Sequence, residues 1–276
     1  MRIALCNEVL ADREFAAQCA YAAALGYDGL EVAPYTLADD PLAIPSAQRA
    51  AIRRAAADAG IAVTGLHWLL VKPSGLSITA PDAGTRARTI AAMTTLIALC
   101  AELGGRYLVH GSPAQRRIPT GETRAAAWAR ARDAFAAVAV AAERAGVVYL
   151  VEPLPRDETD LVNTLAEARA MVREIGSPAL ATMLDTKSAA LSEGRPVVDV
   201  ARDALAAGAI AHVQLNDRNR RGPGQGTDRF APVLAVLKEG GYDGDVAIEP
   251  FDYVPVGPAC AARAIGYVRG ILEALR

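Results

Sequence analysis

The stretch Val147-Val148-Tyr149-Leu150-Val151-Glu152-Pro153 reads as a short apolar strand that ends on a carboxylate and is stopped by proline. A nearly continuous apolar run of this length suits a strand covered on both faces, as in a parallel sheet. Further along, Thr164–Ile175 predicts an amphipathic helix, and Gly176 supplies the left-handed residue that ends one. The same strand, loop, helix and glycine recur on both sides of this unit. Upstream lie Ile3–Cys6 with Asp12–Leu25 and Gly26, then Gly29–Val32 with Pro45–Ala59 and Gly60. Val63–Leu66 with Asp82–Leu103 and Gly104 follow, and Tyr107–Val109 with Glu122–Ala145 and Gly146. Downstream lie Leu180–Leu184 with Pro196–Ala207 and Gly208, and Ile210–Gln214 with Asp228–Glu239 and Gly240. Asp245–Ile248 is the last strand, before a helix over about Pro258–Leu275.

Eight such units in 276 residues predict an α/β fold, a single (β/α)8 TIM barrel occupying residues 1–276 as one domain. A doubly wound open sheet would carry a glycine-rich phosphate loop after its first strand. Cys6-Asn7-Glu8-Val9-Leu10 stands there instead, with neither GxGxxG nor GKS/T. At 52% hydrophobic and 22% charged residues the chain is globular, not disordered. A net charge of −2 argues against nucleic-acid or anionic membrane partners. No apolar run approaches the ~18 residues of a membrane span. Met1–Glu8 lacks the pattern of a secretory signal. Cys6, Cys19, Cys100 and Cys260 form no CxxC pair, so they read as reduced packing residues of a cytoplasmic protein.

In a barrel of this kind the chemistry sits where strands end. Glu152, Asp185, Gln214 and Glu249 close four consecutive strands at separations of 33, 29 and 35 residues, each about one βα unit. Adjacent strands lie roughly 4.8 Å apart, so these side chains can meet at the barrel mouth. Three carboxylates and an amide oxygen make a hard, anionic site suited to Mn²⁺ or Mg²⁺. Without a cation the carboxylates would repel one another and rise in pKa. His212, two residues before Gln214, faces the same side one layer deeper and is the alternative ligand if the register differs. Glu8, Glu31, His67, Trp68 and His110 stand at or just after the first four strands, where they would contact substrate. Lys187 reads as a solvated loop lysine. The basic, glycine-rich run Arg218–Gly226 would either grip a phosphate or cover the substrate.

At these residues the chain resembles the xylose-isomerase-like barrel superfamily of sugar phosphate isomerases and epimerases, nearest its ketose 3-epimerase branch. The resemblance spans residues 2–276. It is carried by Glu152-Pro153-Leu154 with Glu158–Thr164, by Leu184-Asp185-Thr186, by His212–Asp217 and by Gly241–Phe251. It implies that Glu152, Asp185, Gln214 and Glu249 hold a divalent ion, Mn²⁺ by preference. Glu152 and Glu249 would then exchange a proton with the sugar. Two positions depart from the family pattern. Gln214 stands where the third ligand is usually His, and Ser188 stands where a substrate-binding His is usual. Gln is also a neutral ligand, through its amide oxygen. Arg220 matches the family's substrate arginine.

The implied reaction moves a proton next to a ketose carbonyl through an enediolate, with two glutamates as acid and base. The same groups would serve a lyase or dehydratase acting on keto-inositols or 3-oxo-glycosides, including C-glycoside cleavage, and the two departures keep that alternative open. An endonuclease-IV-like hydrolase needs a histidine-rich three-metal site, which three histidines and a negative net charge argue against. A non-enzymatic barrel is disfavoured by the two glutamates. The expected partner is a small-molecule sugar, with a homodimer paired through loops at the mouth as the resemblance suggests.

Overall fold

The structure is a computed structural model describing residues 1–276. Its strands are β1 (Arg2–Cys6), β2 (Gly29–Val32), β3 (Ala62–Leu66), β4 (Tyr107–His110), β5 (Val148–Val151), β6 (Leu180–Thr182), β7 (Leu184–Asp185), β8 (Val213–Leu215) and β9 (Asp245–Ile248). All pairings are parallel, in the order β6-β5-β4-β3-β2-β1-β9-β8-β7. Ala4 of β1 stands opposite both Gly29 of β2 and Ala247 of β9, so the first strand joins the last and curls the sheet into a nearly closed barrel. Around it run α1 (Phe15–Leu25), α2 (Ser46–Asp58), α3 (Ala83–Leu103), α4 (Arg124–Ala145), α5 (Leu165–Ile175), α6 (Thr186–Ser192), α7 (Val197–Ala206), α8 (Ala231–Glu239) and α9 (Gly257–Ala274). The long helices α3 and α4 end on Gly104 and Gly146 at φ 87° and 69°, the left-handed stop their sequences predict.

Two local features differ from the sequence expectation. The sixth strand is divided at Met183: β6 pairs with β5 and β7 pairs with β8. Isolated bonds from Ala211 N to Thr182 O and from Leu184 N to His212 O carry the connection past the break. The seventh strand therefore begins at Val213 rather than Ile210. Helix α6 then starts directly after Asp185, whose Oδ1 accepts a bond from Ser188 N at 2.6 Å. One carboxylate thus ends a strand and caps a helix, satisfying an amide that the helix itself leaves free.

The main apolar core, 61 residues, lies between strands and helices, whereas the barrel interior holds only two small apolar clusters. One is Tyr107, Val109, Leu150 and Met183; the other is Ala4, Cys6 and Ala247. Alternation along each strand sends every second residue inward, and small residues there leave room for polar groups above them. All four cysteines are buried and unpaired. No helix is long and apolar enough to cross a membrane.

Candidate active site

Following the inward residues up each strand leads to the mouth. Leu150 is followed by Glu152, Ala247 by Glu249, and Asp185 stands level with Gln214 across β7 and β8. Glu152, Asp185 and Glu249 are buried and converge, each offering a carboxylate oxygen within 4.8 Å of the others. Asn216, the next inward residue after Gln214, donates from Nδ2 to Asp185 Oδ2 at 2.9 Å and to Glu249 Oε2 at 3.3 Å.

The protein supplies too little positive charge for this trio. Burial, then the charges of Glu249 and Asp185, push Glu152 well above the carboxylate range despite Arg116 and Lys187. Burial also raises Asp185, against the opposing pull of Lys187. Glu249 is raised to about 8 by burial, although a hydrogen bond from His67 pulls the other way. A divalent cation fits this donor set, because it would replace mutual repulsion with attraction. Gln214 strengthens the fit: its Oε1 is buried and has no hydrogen-bond partner within the protein.

His67 organises the opposite side of the mouth. Its Nδ1 lies 3.1 Å from Glu249 Oε1 and its Nε2 3.0 Å from Glu8 Oε2. Burial would lower its pKa, but Glu8, Glu249 and Glu31 outweigh burial and hold it well above the usual value. Cys6, Glu8, His67 and Glu249 also cluster at metal-binding distance. With both ring nitrogens engaged by carboxylates, His67 is an imidazolium bridge there and not a ligand.

One layer deeper lies a second buried anion. Glu31 accepts from Tyr107 Oη at 2.7 Å and from Gln214 Nε2 at 2.6 Å, and His212 Nε2 lies 2.7 Å from its Oε2. Burial opposes its ionisation, but His212, His67 and Tyr107 win and lower Glu31 to about 2. The His212 ring stacks on Tyr107 at 4.2 Å between centroids. His212 is thus committed to Glu31, one layer below the carboxylate trio, while Gln214 remains free on one end.

Above the trio opens a cavity of about 280 Å³, lined in part by His67, Trp68, Glu152, Lys187, Arg220, Glu249 and Phe251. Trp68 and Phe251 meet edge to face at 6.1 Å and form an aromatic wall. The expected substrate residues His67, Trp68 and Arg220 all reach this space; Glu8 stands behind His67, buried against it. His110 does not reach it. Val109 takes the inward position on β4, so alternation turns His110 outward, onto Tyr149 Oη at 2.9 Å and the Phe135 ring. Burial, helped by Arg116, lowers His110 to about 3, so it is neutral and structural.

Lys187 corrects the sequence reading in the other direction. It is buried, not solvated, with Nζ 2.7 Å from Glu158 Oε1 and 4.7 Å from the centre of the Phe251 ring. Ser188 is buried, and its hydroxyl has no partner and does not line the cavity. The loop after β8 offers little to a phosphate, since Arg218 pairs with Asp228 and Arg221 with Asp252, leaving Arg220 alone to face the cavity. Glu158, Asn216 and Phe251 are site residues to which sequence reasoning gave no role. Only Asn216 carried a signal, the inward alternation 212, 214, 216.

Comparison with known proteins agrees with this geometry. The family described as xylose isomerase-like TIM barrel matches residues 19–270, and the chain belongs to it. The L-ribulose 3-epimerase of Mesorhizobium japonicum is 31% identical over 183 residues, covering 65% of this chain and 59% of that relative. The chain thus spans less than two thirds of that relative's length. The D-psicose 3-epimerase of Agrobacterium fabrum is 29% identical over 236 residues, 83% of this chain and 76% of its own. A solved L-ribulose 3-epimerase superposes with a TM-score of 0.84 at 26% identity, covering 100% of this chain and 95% of that one. A 3-keto-D-glucoside 4-epimerase from E. coli gives the same TM-score, 0.84, at 19% identity over 98% of this chain and 99% of that one, and shares the fold.

Proposed function

We propose that this protein is an isomerase-class sugar epimerase that inverts a carbon next to a ketose carbonyl, with a divalent ion, Mn²⁺ by preference, held by Glu152, Asp185, Gln214 and Glu249. The observation that carries the reading is the convergence of three buried carboxylates whose own partners leave them short of positive charge. When bound, the ion polarises the ketose carbonyl and makes the neighbouring C–H acidic.

Glu249 and Glu152 then divide the proton work. One takes the proton from the sugar carbon and the other returns a proton to the opposite face, with Glu249 placed 3.1 Å from His67 Nδ1. Reversing the direction of reaction exchanges the roles. Arg116 donates from Nη1 to Glu152 O at 2.6 Å and fixes that strand end. Trp68 and Phe251 offer apolar faces to the sugar, and Arg220 and Lys187 offer donors to its hydroxyls. The reading carries with it a chain acting as one domain in the cytoplasm, paired as a homodimer through its mouth loops.

The test is deuterium wash-in from heavy water over a panel of ketoses, with metal content measured on the same preparation. Incorporation at the carbon beside the carbonyl, with inversion, supports the epimerase. Loss of water or an aglycone transfers the site to a lyase. No exchange with any ketose, in protein carrying one ion per chain, overturns the reading.

A further inference from the structure

We propose that Glu31 is a positioning residue: it decides which end of the Gln214 side chain faces the carboxylate trio. The inference rests on the metal reading above and concerns how this chain makes an amide serve as a ligand. An amide has two ends of similar shape and opposite hydrogen-bonding character, one oxygen that accepts and one nitrogen that donates. Only the oxygen can hold a cation. Placed at a ligand position without further control, Gln214 would present its NH₂ as readily as its oxygen.

The layer below removes that freedom. Glu31 is fully buried, and as a carboxylate it can only accept. Its Oε1 takes Gln214 Nε2 at 2.6 Å, so the opposite orientation would set oxygen against oxygen. Glu31 cannot swing aside, because Tyr107 Oη donates to its Oε2 at 2.7 Å and His212 Nε2 lies 2.7 Å from the same oxygen. Tyr107 is fixed in turn by Thr64 Oγ1 at 3.0 Å and by stacking on His212. Gly65 makes this possible: a Cβ there would meet the Tyr107 ring. Both Glu31 oxygens accept hydrogen bonds, from Gln214 Nε2 and Tyr107 Oη, whereas Gln214 Oε1, the atom a cation would use, is buried with no partner. A donor held by a second layer of bonds is how proteins orient metal ligands, and loss of that second layer commonly weakens metal affinity 10–100-fold.

The test compares Glu31→Gln in two backgrounds, with Mn²⁺ affinity read by electron paramagnetic resonance and folding by thermal melting. With Gln214 present, Glu31→Gln gives its neighbour an acceptor and a donor alike, the amide loses its orientation, and Mn²⁺ binding weakens by about 10–100-fold. In a Gln214→Glu background the ligand carries an oxygen at both ends, so the same change should cost at least ten-fold less. Lost charge or damaged packing would move both backgrounds alike, and equal losses would overturn the proposal. If Glu31→Gln does not fold, Glu31→Asp keeps the charge beside His212 while withdrawing the acceptor, and the same two-background comparison applies. Wild-type protein that binds no Mn²⁺ would instead bring down the metal reading, and this proposal with it.

Discussion

Two layers of buried carboxylate lie one above the other in this barrel and behave in opposite ways. In the lower layer Glu31 is held down to about 2, because His212, His67 and Tyr107 together outweigh burial. In the upper layer Glu152 and Asp185 are raised and Glu249 reaches about 8, although the burial is the same. Burial therefore does not decide the charge state of a carboxylate here; the partners do. In the lower layer the carboxylate is balanced by groups of the chain itself. The upper one lacks balancing charge within the chain, and the proposed cation would supply it.

The sharpest way to break the comparison is to remove the upper carboxylates. Glu152→Gln and Glu249→Gln should each lower turnover of the preferred ketose by about 10³-fold, the scale of general acid–base catalysis, with the fold intact by circular dichroism. Retained turnover in either would show that its proton moves by another route. The lower layer should respond in stability instead. His212→Leu removes the imidazole 2.7 Å from Glu31 Oε2 and should cost about 1–3 kcal/mol in urea unfolding, as leaving a buried polar group without its neighbour does. A loss below about 1 kcal/mol would show that Tyr107 and Gln214 suffice alone.

A ligand should complete only the upper layer. Mn²⁺ at a hundred times its dissociation constant should stabilise the fold by about 2.7 kcal/mol. For a chain of this size that raises the melting temperature by roughly 5–10 °C, and chelator should reverse it. A melting temperature indifferent to Mn²⁺ would count against the site.

The smallest effect concerns His110, the histidine turned away from the mouth. Its pKa is lowered to about 3 in the fold, against ~6.5 unfolded. Between those values the unfolded chain binds the proton and the folded one does not, so stability is complete above about pH 6.5 and falls as pH falls. His110→Gln should remove about 2 kcal/mol of the loss between neutrality and pH 5, measured by denaturant unfolding. Curves that fall in parallel would show that His110 is not the group responsible.

Much of the upper layer was legible in the sequence because the βα unit sets the spacing of strand ends, and Glu152, Asp185 and Glu249 fall on that spacing. Their convergence needed no detail beyond the register. What remained hidden depended on side-chain direction or on distant strands. His110 follows Val109, and which of the two points inward is set by pairing that the local sequence does not show. Lys187 looked like a loop residue because α6 has no cap in the sequence other than Asp185, already read as a ligand. The environment of Glu31 draws Tyr107 from β4 and His212 from just before β8, and no local pattern links those positions. The split at Met183 likewise reflects partners on either side of the sixth strand.

Three residues that face the cavity, Trp68, Ser112 and Arg220, hang from backbone at φ 49°, 35° and 70°. Side-chain-bearing residues hold such angles at a cost of about 1–2 kcal/mol each. At Arg220 the distortion is locked, since its carbonyl takes bonds from Phe251 N at 2.7 Å and Asp252 N at 2.9 Å. In the proposed sugar site, heat tolerance and substrate handling would therefore be set against each other at the rim of this barrel. A breeder selecting only for survival at high temperature would be drawn toward glycine at position 220, and would obtain a sturdier protein that has lost its grip.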